Sequence, residues 1–293
     1  MQSPACLNMS ISCLPLAEVD LATRRDLERK MAAFYNAAPS NYYSIADQNA
    51  GTYNKWTLPF HIDLLERMFV GASVCEVGCG TAHLCTEVQE RGATYTGLDW
   101  SEELLRQNAA RFPKAQFFSV TSEFEAQFDI VASLYTLEHV TDPTLYLERL
   151  WSLCRPGGNI SIICPDFVDG DGLPPSFFYG LTVRRLRAKV KHFALLDATL
   201  HLSDLIYSGP RWKRVARQSA PGSFWINLRP RVLEDPHYSI DSDAVHLSRL
   251  KDLIFWFERK SAGILASSDR MNVSKAILDH NCYLTVRKPN TSE

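Results

Sequence analysis

The amino-acid sequence predicts an α/β protein: a doubly wound, mostly parallel seven-stranded sheet with an N-terminal helical extension and an inserted cap. Three observations predict it. Short β-rich runs alternate with helical runs of about ten to twelve residues between positions 58 and 166, the pattern of parallel strands joined by right-handed crossovers. Glycines gather where the first of these strands ends. The alternation stops at Phe167 and returns near position 246, so the interruption lies inside the sheet-forming sequence. The chain thus divides into an N-terminal extension (1–57), a core (58–166), a cap (167–245) and the rest of the core (246–293).

Taken in order, residues 1–20 show no period and read as a loose leader. Residues 21–38 form a charged, Ala-rich helix with apolar positions at 27, 31 and 34. A second helix, 58–69, carries Leu64, Leu65 and Met68 and stops at Gly71. Strands follow at 73–77, 94–98, 116–120, 129–134 and 159–164. Between them lie helices at 82–91, closed by Gly92, at 102–110, capped by Ser101, and at 143–154. The cap holds a basic amphipathic helix near 181–196 and a segment rich in Trp and Pro. A helix at 248–260 and strands at 264–267 and 281–287 complete the sheet.

Bulk properties narrow the partners. The 293 residues are 46% hydrophobic and 22% charged, enough apolar material for a sizeable core. A net charge of −2 gives no whole-molecule field toward nucleic acid or a membrane. Any such preference has to come from a local patch. The eight cysteines form no Cys-x-x-Cys pair and read as free, buried thiols of a reducing compartment. The first 16 residues lack a basic residue and a long apolar run, and no stretch approaches the roughly 18 apolar residues that cross a bilayer. The expected localisation is cytoplasmic.

The most informative residues are Val74-Cys75-Glu76-Val77-Gly78-Cys79-Gly80-Thr81-Ala82, at the end of the first core strand. Glycines there let the chain turn tightly and let backbone approach a ligand. Ligands of open α/β sheets sit beyond the carboxyl ends of the strands. A nicotinamide site needs a third glycine where this chain has His83. Asp99 ends the second strand, where a carboxylate can accept both ribose hydroxyls of an adenosine. The lesser alternative is that it merely caps the next helix.

Five motifs then occur in register: Glu76-Val77-Gly78-Cys79-Gly80-Thr81, Gly97-Leu98-Asp99-Trp100-Ser101, Phe128-Asp129-Ile130-Val131-Ala132-Ser133, Leu137-Glu138-His139-Val140 with Asp142-Pro143, and Leu153-Cys154-Arg155-Pro156-Gly157-Gly158. Together they resemble the class I S-adenosylmethionine-dependent methyltransferases, in particular their type 11 branch. The resemblance is strong over 58–166 and weaker over 241–288, where Asp243-Ala244-Val245-His246 looks like the opening of the family's last helix. It implies the Rossmann-like methyltransferase fold, and S-adenosyl-L-methionine as cofactor. Glu76, Gly78 and Gly80 would line its methionine part, Asp99 its ribose and Trp100 its adenine. The family's acidic residue after the third strand is replaced here by Thr121-Ser122-Glu123, so Ser122, Glu123 or backbone must serve. Tyr135, and Tyr43 or Tyr53 from the leading segment, complete the expected cofactor contacts.

Methyl transfer from a sulfonium asks the protein chiefly to align three atoms and exclude water. A base is needed only where the acceptor must lose a proton. His139, just past the fourth strand, is the candidate base. Asp166 and His246 are candidate substrate contacts. Glu138 and His139 could bind a metal only with a third donor such as Asp166 or Asp241, so none is expected. The cap carries nine basic residues between 184 and 217 (184, 185, 187, 189, 191, 211, 213, 214 and 217), read as mostly outward, with Leu186, Val190 and Phe193 as the helix's apolar face. That face is either solvated or a docking surface for an anionic or carrier-linked small-molecule or glycan-type substrate. Nucleic acid is not expected as a partner, for the chain has no RNA module and no basic excess. The leading functional expectation is O-methylation of a small molecule or sugar-containing metabolite. N-methylation of an amine or amino sugar, and a non-catalytic cofactor-binding module, are the alternatives.

Overall fold

The β-rich runs of the core are apolar on both faces, and that pattern fixes where they lie. In Ser73-Val74-Cys75-Glu76-Val77 every residue after the first is buried, as a central strand with helices on either side requires. A computed structural model of the chain describes residues 13–36, 58–124, 127–180, 182, 186–230, 243–274 and 280–290. Tyr43, Tyr53, Arg184, Arg185 and Asp241 lie outside the described residues.

Seven strands form the main sheet: β2 (Ser73–Val77), β3 (Thr94–Asp99), β4 (Gln116–Ser119), β5 (Phe128–Leu134), β6 (Cys154–Pro165), β9 (Gly263–Ser267) and β10 (Asn281–Arg287). Their order is β4-β3-β2-β5-β6-β10-β9. The first five run parallel, while β10 is antiparallel to both β6 and β9. The order reverses between β2 and its neighbours β3 and β5, which opens a crevice at their carboxyl ends.

Helices cover both faces. Leu64, Leu84, Val88, Tyr95 and Ile130 form one buried layer, with α2 (Leu58–Glu66) and α3 (Leu84–Glu90) packed on it. Leu98, Val131, Leu147, Ile160, Leu253 and Phe257 form the other, under α5 (Pro143–Leu153) and α9 (Leu250–Glu258). Each fully buried Leu, Ile or Phe contributes about 1.5–3 kcal/mol. Helix starts follow local chemistry. In α4 (Glu102–Arg111) the Ser101 hydroxyl accepts from Leu104 N at 3.3 Å. Asp142 caps α5, accepting from Thr144 N and Leu145 N at 3.1 Å, with Pro143 at the first turn.

Three features differ from the sequence reading. The leader is not loose throughout: β1 (Cys13–Pro15) pairs with β7 (Trp225–Asn227), which pairs with β8 (His246–Leu247), making a second, antiparallel sheet. Strands of two or three residues give no usable period, so the sequence does not announce them. The basic helix at 181–196 is instead two helices, α6 (Leu186–Lys191) and α7 (Leu195–Ser203), separated at Phe193, whose φ is +55°. From α7 the helical path continues through a π turn (Asp204–Ser208) into α8 (Gly209–Gln218), a wide turn placed just before Pro210. Finally, His246 does not open the late helix. It lies in β8, before α9 begins.

Candidate active site

The crevice is shaped by two left-handed glycines with different jobs. Gly78 has φ +78°, and a Cβ there would stand 2.2 Å from the Thr136 side chain. Its N–H and that of Cys79 donate to Leu98 O at 2.7 and 3.0 Å, tying the loop to β3. Gly80 has φ +49°, and a Cβ there would meet nothing within 4 Å. That open space borders the Asp99 carboxylate, which accepts from Gly80 N at 2.8 Å. Asn108 of α4 fixes the loop from behind, donating to Gly80 O at 2.7 Å. Two non-glycine residues beside the crevice also hold positive φ: Ala82 at +55° and Tyr135 at +51°. Each such conformation costs about 1–2 kcal/mol, and strain of this kind collects at functional sites.

Asp99 ends β3 half-buried. Its Oδ2 accepts from Gly80 N and its Oδ1 from Ser101 N at 2.9 Å. Burial pushes its carboxyl up, and the backbone donors oppose that shift. Both oxygens keep lone pairs for hydroxyl donors. The capping alternative is thus partly realised in the bond to Ser101 N, while Leu104 N is taken by Ser101. Trp100, next in sequence, is 41% exposed. Glu76 is buried below the loop and accepts from the Tyr95 hydroxyl. Burial raises its carboxyl to about 8. Ser122, after β4, offers its N–H to Ser119 O at 2.9 Å, and its carbonyl accepts from Arg149. Tyr135 donates to Asn281 Oδ1 at 2.9 Å across the crevice rim. Glycine turn, open space, carboxylate and exposed indole fit an adenosine-bearing cofactor. Gly80 and Asp99 carry that fit.

His139 stands in the helical turn Leu137–His139 that follows β5. Its Nδ1 lies 3.2 Å from Asp243 Oδ2, and its Nε2 lies 3.8 Å from Oε1 of the fully buried Glu138. Tyr35 of α1 (Leu21–Asn36) donates to the same Asp243 oxygen at 2.6 Å, and its ring meets the imidazole edge-on at 5.8 Å. Asp243 is brought there by β8, because Val245 N donates to Glu138 O at 2.7 Å. Sequence reasoning missed Asp243 and Tyr35 as partners. Nothing local links them to His139, and the only signal was the acidic residue at the head of Asp243-Ala244-Val245-His246.

The remaining candidates separate. His246 is fully buried, packed edge-on against Phe224 at 5.5 Å, and burial pushes its imidazole down to about 3. It is a neutral core residue with no face toward the opening. Asp166 stands just past β6, where its Oδ1 accepts from Asp169 N at 2.8 Å. Burial pushes its carboxyl up. The described cap cations are mostly outward, with Arg187, Lys191, Arg211, Arg214 and Arg217 exposed, but two are not, and Arg217 also reaches back to the chain. Lys189 is fully buried and pairs with Asp197 at 2.7 Å. Lys213 donates to the carbonyls of Gly170 and Gly172, and Arg217 to those of Val168, Asp169 and Gly170. Val190 and Phe193, read as the inward face, are exposed. A burial penalty for unpaired charge explains where Lys189 and Lys213 sit, beside carbonyls and a carboxylate that satisfy them.

A family model described as a methyltransferase domain matches residues 53–198. Among curated proteins, the ubiquinone biosynthesis O-methyltransferase of Pseudomonas entomophila is 31% identical over 99 residues, covering 31% of this chain and 43% of that protein. The same-named protein of Aeromonas salmonicida is 34% identical over 103 residues, covering 31% of this chain and 42% of its own length. The chain therefore aligns with less than half the length of these relatives. Among solved structures, the 1,6-didemethyltoxoflavin-N1-methyltransferase of Burkholderia thailandensis, with 1,6-didemethyltoxoflavin and S-adenosylhomocysteine bound, covers 93% of both chains at a TM-score of 0.55 and 16% identity. That likeness bears on the fold, a Rossmann-like sheet of the methyltransferase type. The chain belongs to the S-adenosylmethionine-dependent methyltransferases.

Proposed function

We propose that this chain methylates a hydroxyl oxygen of a small or sugar-containing acceptor, with His139 as general base. The observation that carries this reading is the imidazole placed past the carboxyl end of β5 with a carboxylate 3.2 Å from Nδ1. The Asp243 carboxylate, 3.2 Å from Nδ1, favours the proton on that nitrogen by charge, which leaves Nε2 to take the acceptor proton. Asp243 orients the ring, and Tyr35 orients Asp243. Glu138, 3.8 Å from Nε2, gives the imidazolium formed in that step a second carboxylate neighbour. The names of the two curated relatives support oxygen as the acceptor atom.

The donor side uses Gly78 and Gly80 for close backbone approach, Asp99 for the ribose hydroxyls, and Trp100, Ser122 and Tyr135 around the adenine and methionine ends. When bound, S-adenosylmethionine supplies a methyl carbon already activated by its sulfonium. The acceptor lies between the crevice and the cap, with Asp166 on its far wall. Exclusion of water there falls to the residues around the β5 and β6 ends.

Titration calorimetry with S-adenosylhomocysteine tests the donor site. Micromolar affinity, about −8 kcal/mol, should collapse in Asp99→Ala. A folded wild-type protein that binds nothing would overturn the reading. The base is tested on a panel of hydroxyl acceptors. His139→Ala should lower the rate by about 10²–10⁴-fold and remove the fall in rate toward acid pH. An unchanged pH profile would favour an amine acceptor.

A further inference from the structure

We propose that the outer face of residues 186–218 docks onto an anionic lipid surface. The helical stretch Leu195–Gln218 is built inside-out. Its inward stripe carries Asp197, His201, Asp204 and Lys213 beside Ala198, Trp212 and Ala216. Its outward stripe carries Leu195, Leu202 and Ile206, seven and four residues apart as on one helix face, with Leu196 and Tyr207 beside them. Val190 and Phe193 extend that surface from α6. Eight of the seventeen exposed large apolar side chains among the described residues fall within these 33 positions. Phe193 is 85% exposed on a left-handed backbone (φ +55°), so strain holds an aromatic ring in water. A concentration of exposed apolar side chains of this kind marks an interaction site.

Charge selects the occupant. Asp197 and Asp204 are the carboxylates of this segment, and both are buried, held by Lys189 at 2.7 Å and Arg229 at 3.1 Å. The outward groups that carry charge are Arg187 and Lys191 at one end and Arg211, Arg214 and Arg217 at the other. Apolar side chains rimmed by cations, with no exposed carboxylate among them, match an interface that is hydrocarbon at its centre and anionic at its surface. A second copy packed by two-fold symmetry would set cation against cation around a shared apolar centre. The inference does not depend on the acceptor or on methyl transfer.

Flotation of the full chain with vesicles tests it. Phosphatidylcholine vesicles should not carry the protein, and the same vesicles doped with phosphatidylglycerol should, less so as salt rises. The double variants Phe193→Ser/Ile206→Ser and Arg211→Ser/Arg214→Ser should each weaken binding at least about tenfold, with unchanged circular dichroism. Sedimentation equilibrium should report a monomer. Absence from the doped vesicles, binding that neither variant weakens, or a dimer that Phe193→Ser/Ile206→Ser dissociates would each overturn the proposal.

Discussion

The sheet core and the cap solve the burial problem in opposite ways. In the core, both faces of β2, β3 and β5 meet Leu, Ile, Val and Phe, and polar groups gather at the strands' carboxyl ends. In the cap, Lys189, Lys213, Asp197 and Asp204 go inside beside Trp212 and Ala216, while several leucines face out. The core is held by apolar area, which is tolerant of small shifts. The cap is held by directed bonds. Lys213 and Arg217 bind carbonyls of the 168–172 loop, and the buried Arg249 binds Ala216, Ser219 and Ala220 carbonyls together with Asp252. Such bonds are short-ranged and depend on each partner, so the cap should be the more brittle of the two.

The sharpest way to break that contrast is Asp197→Ala. It strands the fully buried Lys189 and should lower stability by about 3–5 kcal/mol, as removing one member of a buried pair does. Lys189→Met/Asp197→Leu, which removes both charges, should recover most of the loss in urea unfolding. If Asp197→Ala unfolds like wild type, polar latches do not hold the cap.

A smaller effect separates the regions by pH. Burial raises Glu76 in the core from its ordinary 4.5 to about 8. The unfolded chain therefore releases this proton first, and its contribution to stability, full below 4.5, falls as pH rises toward 8. His246, pushed from 6.5 down to about 3, works the other way, with its contribution lost as pH falls below 6.5. Between pH 6.5 and 8 only the Glu76 slope remains of these two. Glu76→Gln should flatten it, a difference on the order of 1–2 kcal/mol in unfolding free energy across that interval. An equal slope in the variant would remove Glu76 as its source.

The smallest effects divide the two crevice glycines. Gly78→Ala combines a left-handed backbone with a 2.2 Å approach to Thr136, so its melting temperature should drop clearly. Gly80→Ala meets open space and should lose only the roughly 1–2 kcal/mol of its left-handed backbone, while S-adenosylhomocysteine affinity falls. Equal stability losses in the two variants would mean that Thr136 moves freely aside.

The core strands were legible because each obeys a period. The predicted 73–77 and 281–287 coincide with β2 and β10, and Asp99 and Gly80 meet where the motif spacing put them. The cap resisted for a physical reason. Amphipathic reading assumes that apolar faces turn inward, and α6 reverses that rule by burying Lys189 and exposing Val190, with Phe193 exposed just beyond it. The partners of His139 resisted because Asp243 and Tyr35 arrive from distant parts of the chain. Contact at that range is set by packing, which leaves no local trace.

One strand of the small sheet has a consequence for synthesis. Cys13 pairs with Asn227, and Leu14 with Ile226, so this segment must wait on the ribosome for one made about two hundred residues later. At about 5–20 residues per second that wait is roughly ten to forty seconds. Through it, the five parallel strands β2 to β6 can assemble while Cys13, Leu14 and Pro15 stay unpaired. The small sheet can therefore close on a nascent chain before β9 and β10 complete the large one.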